Sequence, residues 1–194
     1  MDLILLEPGD TSIFGSANNG ANGGSLVDNA ANPTSNWLNP HTQKPIGQCI
    51  ELVSVHQGIK QQLATDVSNS ARTSGRPVIT EFTCVKYVDK TSVKFYEYCL
   101  QAKSLGGKDS PSHIYICRNS GDTTANIMTF TLCDALISEI QFQSHPDDMP
   151  TEQFKLNFTE ILWQYAVNKA ETTNVGSIET GWSIARNRPI QKFS

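Results

Sequence analysis

No stretch of this 194-residue chain is long and apolar enough to cross a membrane as a helix. The N-terminal MDLILLEPGD offers only four consecutive apolar residues, Leu3 to Leu6, before Glu7-Pro8-Gly9, and an acidic second residue, so it reads neither as a signal peptide nor as a span. Basic runs are missing as well. Fifteen Lys and Arg are scattered among nineteen Asp and Glu, and a net charge of -4 without a polybasic surface argues against nucleic acid as a partner. There is no C-x-x-C pair for zinc, and the five cysteines (Cys49, Cys84, Cys99, Cys117 and Cys133) are odd in number and sit inside apolar-patterned segments. A disulfide framework is therefore not expected, and the thiols read as small, reduced core residues of a protein made in the cytoplasm.

What is present is a β-type composition. Hydrophobic residues make up 38% and charged residues 18%, so the polar balance rests on Asn, Ser, Thr and Gln. The length suits one domain, residues 1–194. A first strand is expected at Leu3 to Leu6. The segment from about 15 to 47, containing GSANNGANGGSLVDNAANPTSNW, has no apolar period and reads as a long Gly/Asn-rich loop. CIELVSVHQGI alternates and reads as a second strand. KQQLATDVSNSARTSG, residues 60–75, is polar and turn-rich and reads as an extended loop.

In TCVKYVDKTSVKFYEYCLQA the period changes. Cys84, Lys86 and Val88 point one way along a strand and Val85 and Tyr87 the other. After Lys90-Thr91-Ser92, Val93, Tyr96 and Leu100 recur at helical spacing, as do Phe95 and Cys99, with Ser92 at the expected N-cap. A helix this short does not hold alone in water, so Val93, Tyr96 and Leu100 are expected to pack on the β-structure, contributing about 2 kcal/mol each. HIYICR, IMTFTLCDALISEIQF, EQFKLNFTEILWQYAV and a final strand from about Ile178 to Arg186 complete roughly seven strands. The fold class is thus mainly β, an antiparallel barrel or sandwich with one flanking helix.

Chemistry is sparse. GSANNG at Gly15–Gly20 matches the start of a phosphate-binding loop, but Ala21-Asn22 stand where Lys and Ser or Thr are required. His145, Asp147, Asp148 and Glu152 cluster in SHPDDMPTE, where Pro and Asp also serve a turn between strands. His41, His56 and His113 are isolated, and no G-x-S-x-G elbow places a serine. Arg186, Arg188 and Lys192 make a small basic end. No catalytic residue, cofactor site or metal site is expected, and the chain does not read as an enzyme.

VITEFTCVKYVDKTSVKFYEYCLQAKS resembles the signature region of the Hcp (haemolysin co-regulated protein) family, which forms the tube of bacterial type VI secretion systems. IELVSVHQGI is similar to that family's I-E-x-x-S-x-x-x-G strand. IMTFTLCDALISEIQFQS followed by PTEQFKLNFTEILWQY resembles its paired long strands, and IETGWSIARN its closing G-W strand. The likeness runs from Cys49 to Asn187 in the same order, with Leu3 to Leu6 fitting the first strand. Two departures stand out: the Gly/Asn-rich segment is longer than the family leads one to expect, and Val93 replaces a frequent proline.

The resemblance implies an Hcp-like β-barrel whose copies close into a hexameric ring, with rings stacking into a hollow tube. The tube is fired from the cell without a signal peptide, with the spike protein and sheath of the apparatus as partners and effector cargo in the ring lumen. It further implies that the 60–75 loop meets the next ring, and Leu63, Ala64 and Val67 with Arg72 and Arg76 give it an apolar centre and a polar margin. A phage-type tail tube protein, a secreted β-sandwich carbohydrate-binding module and an effector hydrolase are the alternative readings. Trp37, Trp163 and Trp182 are too dispersed to favour the carbohydrate module.

Overall fold

In a computed structural model the described residues are 3–14, 49–66, 71–120, 123–168 and 174–193. The Gly/Asn-rich 15–47 segment, its phosphate-loop-like start, His41 and Val67 lie outside them. The elements run β1 (Leu3–Glu7), a 3-10 turn (Thr11–Phe14), β2 (Ile50–Leu52), β3 (Ser54–His56), β4 (Ile59–Lys60), β5 (Leu63–Asp66), β6 (Ala71–Ser74), β7 (Val78–Ile79) and β8 (Phe82–Tyr87). They continue with α1 (Ser92–Gln101), β9 (Ser112–Ser120), β10 (Thr123–Cys133), β11 (Leu136–Gln143), β12 (Thr151–Asn157), β13 (Glu160–Asn168), β14 (Asn174–Ser183) and β15 (Arg188–Ile190).

Hydrogen bonding divides the antiparallel strands into a seven-stranded sheet, β15-β14-β13-β10-β9-β1-β2, and a four-stranded sheet, β11-β12-β8-β3. The barrel expected from the sequence is therefore not closed as one sheet. Strands cross between the two sheets instead. β2 passes into β3 at Val53, whose N–H donates to the Val85 carbonyl at 2.7 Å. The two long strands read from the sequence each break at one corner, β10 into β11 at Asp134-Ala135 and β12 into β13 at Phe158-Thr159. Asp134 takes the left-handed conformation there (φ 52°), and the Thr159 N–H donates to the Cys133 carbonyl at 3.1 Å. A chain that turns such a corner ends one ladder and starts another without reversing direction.

Alternation sorts the side chains. Leu6 and Ile114, opposite each other across β1 and β9, face the main core between the sheets, with Ile50, Phe82, Phe154, Leu156, Leu132 and Ile161. Leu5 and Tyr115, the next pair in register, point the other way and form a second buried cluster with Cys49 and Cys117. The cysteines are free, four buried and Cys99 half-buried, as the apolar patterning predicted. Burial pushes the Cys84 thiol up to about 12 and Cys133 up to about 11.

The helix differs from the sequence expectation in which face it buries. Val93 and Leu100 are 70% and 87% exposed, while Phe95 and Tyr98 are buried and Tyr96 is half-buried. Both stripes have helical spacing, and the chosen one places two aromatic rings inward. The Phe95 ring meets Phe154 edge-on at 4.9 Å. Thr91 rather than Ser92 is the N-cap, and it makes no side-chain capping bond. Ala102 ends the helix in the left-handed conformation, its N–H donating to Cys99 O at 3.2 Å, with Lys103 N–H donating to Tyr98 O at 2.9 Å.

Candidate assembly surface

The expected loop at 60–75 is an arm with strands of its own. β4 pairs with β7 and β5 with β6, each as a two-stranded antiparallel ladder joined to neither main sheet. Its polar sequence carries no apolar period and so does not read as a strand, and the ladders it forms pair with neither main sheet. The root is fixed by backbone and hydroxyl bonds. Gly58 N–H donates to Thr80 Oγ1 at 2.8 Å, Thr80 N–H to the Gly58 carbonyl at 2.9 Å, and Gly75 N–H to the Gln62 carbonyl at 2.9 Å. Arg76, expected to pair with acidic groups on a neighbour, donates from Nη2 to the Ile184 carbonyl of its own chain and so ties the arm to the segment after β14.

Leu63 is 62% exposed and Ile59 58%, with Val78 also exposed, so the arm presents apolar side chains to solvent. Ala64 and Arg72 stand on β5 and β6, one residue out of direct register, since Ala64 faces Thr73 and Thr65 faces Arg72. Beside the root, His56, Glu81, Thr83 and Lys155 line a polar cleft of about 340 Å³. Its charges are committed to neighbours. Lys155 pairs with Glu139 and holds that carboxyl below its ordinary value through a hydrogen bond, while Asn157 Nδ2 donates to Glu81 Oε1 at 2.7 Å.

The other polar concentration is buried under α1. Alternation along β8 turns Lys86 inward with Phe82 and Cys84, and its ammonium reaches Glu152 Oε1 at 2.8 Å, both side chains fully buried. It also donates to Asp89 Oδ1 at 2.9 Å, Ser92 Oγ at 3.0 Å and the Tyr87 carbonyl at 3.2 Å. Ser92 Oγ donates to Glu152 Oε1 at 2.9 Å and Tyr96 OH to Glu152 Oε2 at 3.2 Å. Sequence reasoning placed Lys86 on the side of Cys84 but gave no sign of its partner, which lies in a distant strand directly opposite in register.

The acid-base or metal reading of SHPDDMPTE dissolves here. Glu152 belongs to the buried pair, whereas His145, Asp147 and Asp148 are exposed on a turn in which Asp147 has φ 67°. Among the described residues no group of three or more His, Cys, Asp or Glu converges on a common point, and no helix is long and apolar enough to cross a membrane. Arg186, Arg188 and Lys192 are exposed.

Two bent antiparallel sheets, one helix packed against β11 and β12 and a separately laddered arm define a mainly β class of protein with one flanking helix. Residues 41–165 match the family described as "Type VI secretion system effector, Hcp", and the chain belongs to that family. It is a type VI secretion tube protein, and members of this family are secreted and self-associate in that assembly. Among solved structures it is similar to one described as a type six secretion system protein, at 17% identity and a TM-score of 0.74, covering 98% of this chain and 100% of that one. Hcp1 from Salmonella typhimurium is similar at 17% identity and a TM-score of 0.63, covering 97% and 99%. Secreted Hcp3 from Pseudomonas aeruginosa follows at 13% and 0.52, covering 94% and 96%. No curated protein matches the chain in sequence.

Proposed function

We propose that the chain acts as one domain that closes into a hexameric ring, and that rings stack head to tail into a hollow tube. The tube is exported when the contractile sheath fires, with the spike protein at its tip and effector cargo in the ring lumen. The protein is made in the cytoplasm, leaves through the type VI apparatus and has no catalytic role. The arm carries this reading. A separately laddered hairpin with Ile59, Leu63 and Val78 exposed and its root tied down by Thr80 and Arg76 is a costly feature for a monomer, because apolar side chains in water gain nothing until covered. A contact between unlike surfaces of identical subunits covers them and propagates along an axis. The ring-to-ring contact is assigned to Leu63, Ala64, Val67 and Arg72, with Arg76 fixing the arm from behind. Replacing residues 61–74 by a short Gly-Ser turn should leave the ring mass unchanged and abolish tubes in electron micrographs and export by the apparatus. A shortened protein that still forms tubes and is exported would remove the arm from this role.

A further inference from the structure

Helix α1 is attached to the sheets by few apolar groups for its length. Of its ten residues only Ser92, Phe95 and Tyr98 are buried, and Val93 and Leu100 face solvent. Polar clusters hold its two ends. At the N-terminal end stands the fully buried Lys86–Glu152 pair, whose carboxylate is bonded by Ser92 and Tyr96 of the helix and whose ammonium lies 5.3 Å from the Phe95 ring. At the C-terminal end Tyr98 OH donates to Asp10 Oδ2 at 2.8 Å, and Lys103 Nζ meets the same oxygen at 2.9 Å. Asp10 and Lys103 are partly exposed, so that end is screened by salt, whereas the buried pair is not. A ten-residue helix has little stability of its own once undocked.

We propose that α1 is a strap that opens as a unit from β11 and β12 while both sheets stay folded, and that the Lys86–Glu152 pair is the catch that keeps it shut. The pair bridges β8 and β12, which are joined to each other by their own antiparallel ladder, without the helix as an intermediary. Only Ser92, Tyr96 and the Phe95 ring join it to the helix. Opening the strap puts water on the pair and uncovers Phe154, whereas closing it requires both charges to be matched. Removing Lys86 leaves the buried Glu152 carboxylate without its cation in the closed state alone, so the imbalance drives opening rather than separation of the strands.

The test is native-state hydrogen exchange on the full chain. In the unmodified protein, the amides of α1 should exchange through one shared opening, well before those of β9 and β10. Lys86→Met should lower α1 protection by about two to three orders of magnitude and leave β9 and β10 within about threefold. Lys86→Met combined with Glu152→Leu should recover at least tenfold of the loss, because no fully buried charge is then left unmatched, Asp89 being partly exposed and bonded by Thr91 N–H. Should Lys86→Met not fold, Glu152→Gln, which keeps a partner for Ser92 and Tyr96 and leaves Lys86 with Asp89 2.9 Å away, should lower α1 protection in the same direction by at least tenfold. Unchanged α1 protection in the single variants would overturn the proposal, as would an equal loss of protection in α1, β9 and β10.

Discussion

Thr159 and Asp134 meet across the corner where two strands leave one sheet for the other. The Thr159 hydroxyl lies 3.1 Å from Asp134 Oδ2 and 3.3 Å from the Cys133 carbonyl. This contact closes the bend from both sides, since Asp134 interrupts β10 and Thr159 precedes β13. Thr159→Val keeps the shape and removes the hydroxyl, so it should lower the unfolding free energy by about 1 kcal/mol. Urea denaturation measures it, and an unchanged midpoint would show that the backbone bond from Thr159 N–H suffices.

A second constraint ties β1 to the turn before β9. A Cβ placed on Gly9 would stand 1.8 Å from the Ser110 carbonyl oxygen and 2.9 Å from the Gly106 Cα. Both are backbone atoms and cannot swing aside. Gly9→Ala should therefore destabilise by about 3 kcal/mol or more, seen as a lower thermal midpoint, whereas Gly58→Ala, 3.5 Å from Thr80 Oγ1, should not clash.

The helix offers a paired comparison. Phe95→Ala should cost about 3–5 kcal/mol, while Val93→Ser and Leu100→Ser should each stay within about 0.5 kcal/mol. Denaturation of the isolated subunit under conditions that prevent assembly separates these values from any contact the exposed stripe makes in the ring. A large cost for Leu100→Ser would contradict the observed orientation.

Buried thiols set a pH dependence. Burial raises Cys84 from 9.0 to about 12, and it pushes the Cys49 and Cys117 thiols up as well. A raised thiol favours the folded state fully below 9.0 and loses that contribution as pH climbs through 12, because only the unfolded chain then ionises freely. Stability should fall steadily above pH 9, and less so in Cys84→Ala once its own cost at pH 7 is subtracted. At pH 8 a thiol reagent should label Cys99 well before the other four. Rapid native labelling of Cys84 would contradict the burial.

Much of this was legible where a face is buried. β1, β9 and β14 stand near their expected places, and the switch from strand to helix after Lys90 is real, because alternation and helical spacing are imposed by a core. The arm's sequence reads as a loop because no apolar period runs along it. The corner at Asp134 and Thr159 does not show in the sequence because apolar residues stand on both sides of it, so the one-residue change of inward parity, from Phe130 and Leu132 before it to Ala135 and Ile137 after, is hidden in what looks like one long strand. The helix face was misassigned because two stripes fit the period and only Phe154 beneath decides between them. Family likeness came from order and spacing over many short motifs, which no single residue carries.

Assembly is tested most directly by the mass of the purified full chain in light scattering, without added nucleotide or metal, with negative-stain images of the same sample. Six 21.3 kDa chains predict a species of about 128 kDa that appears as closed rings. A single 21.3 kDa species at tens of micromolar, featureless in the images, would contradict it.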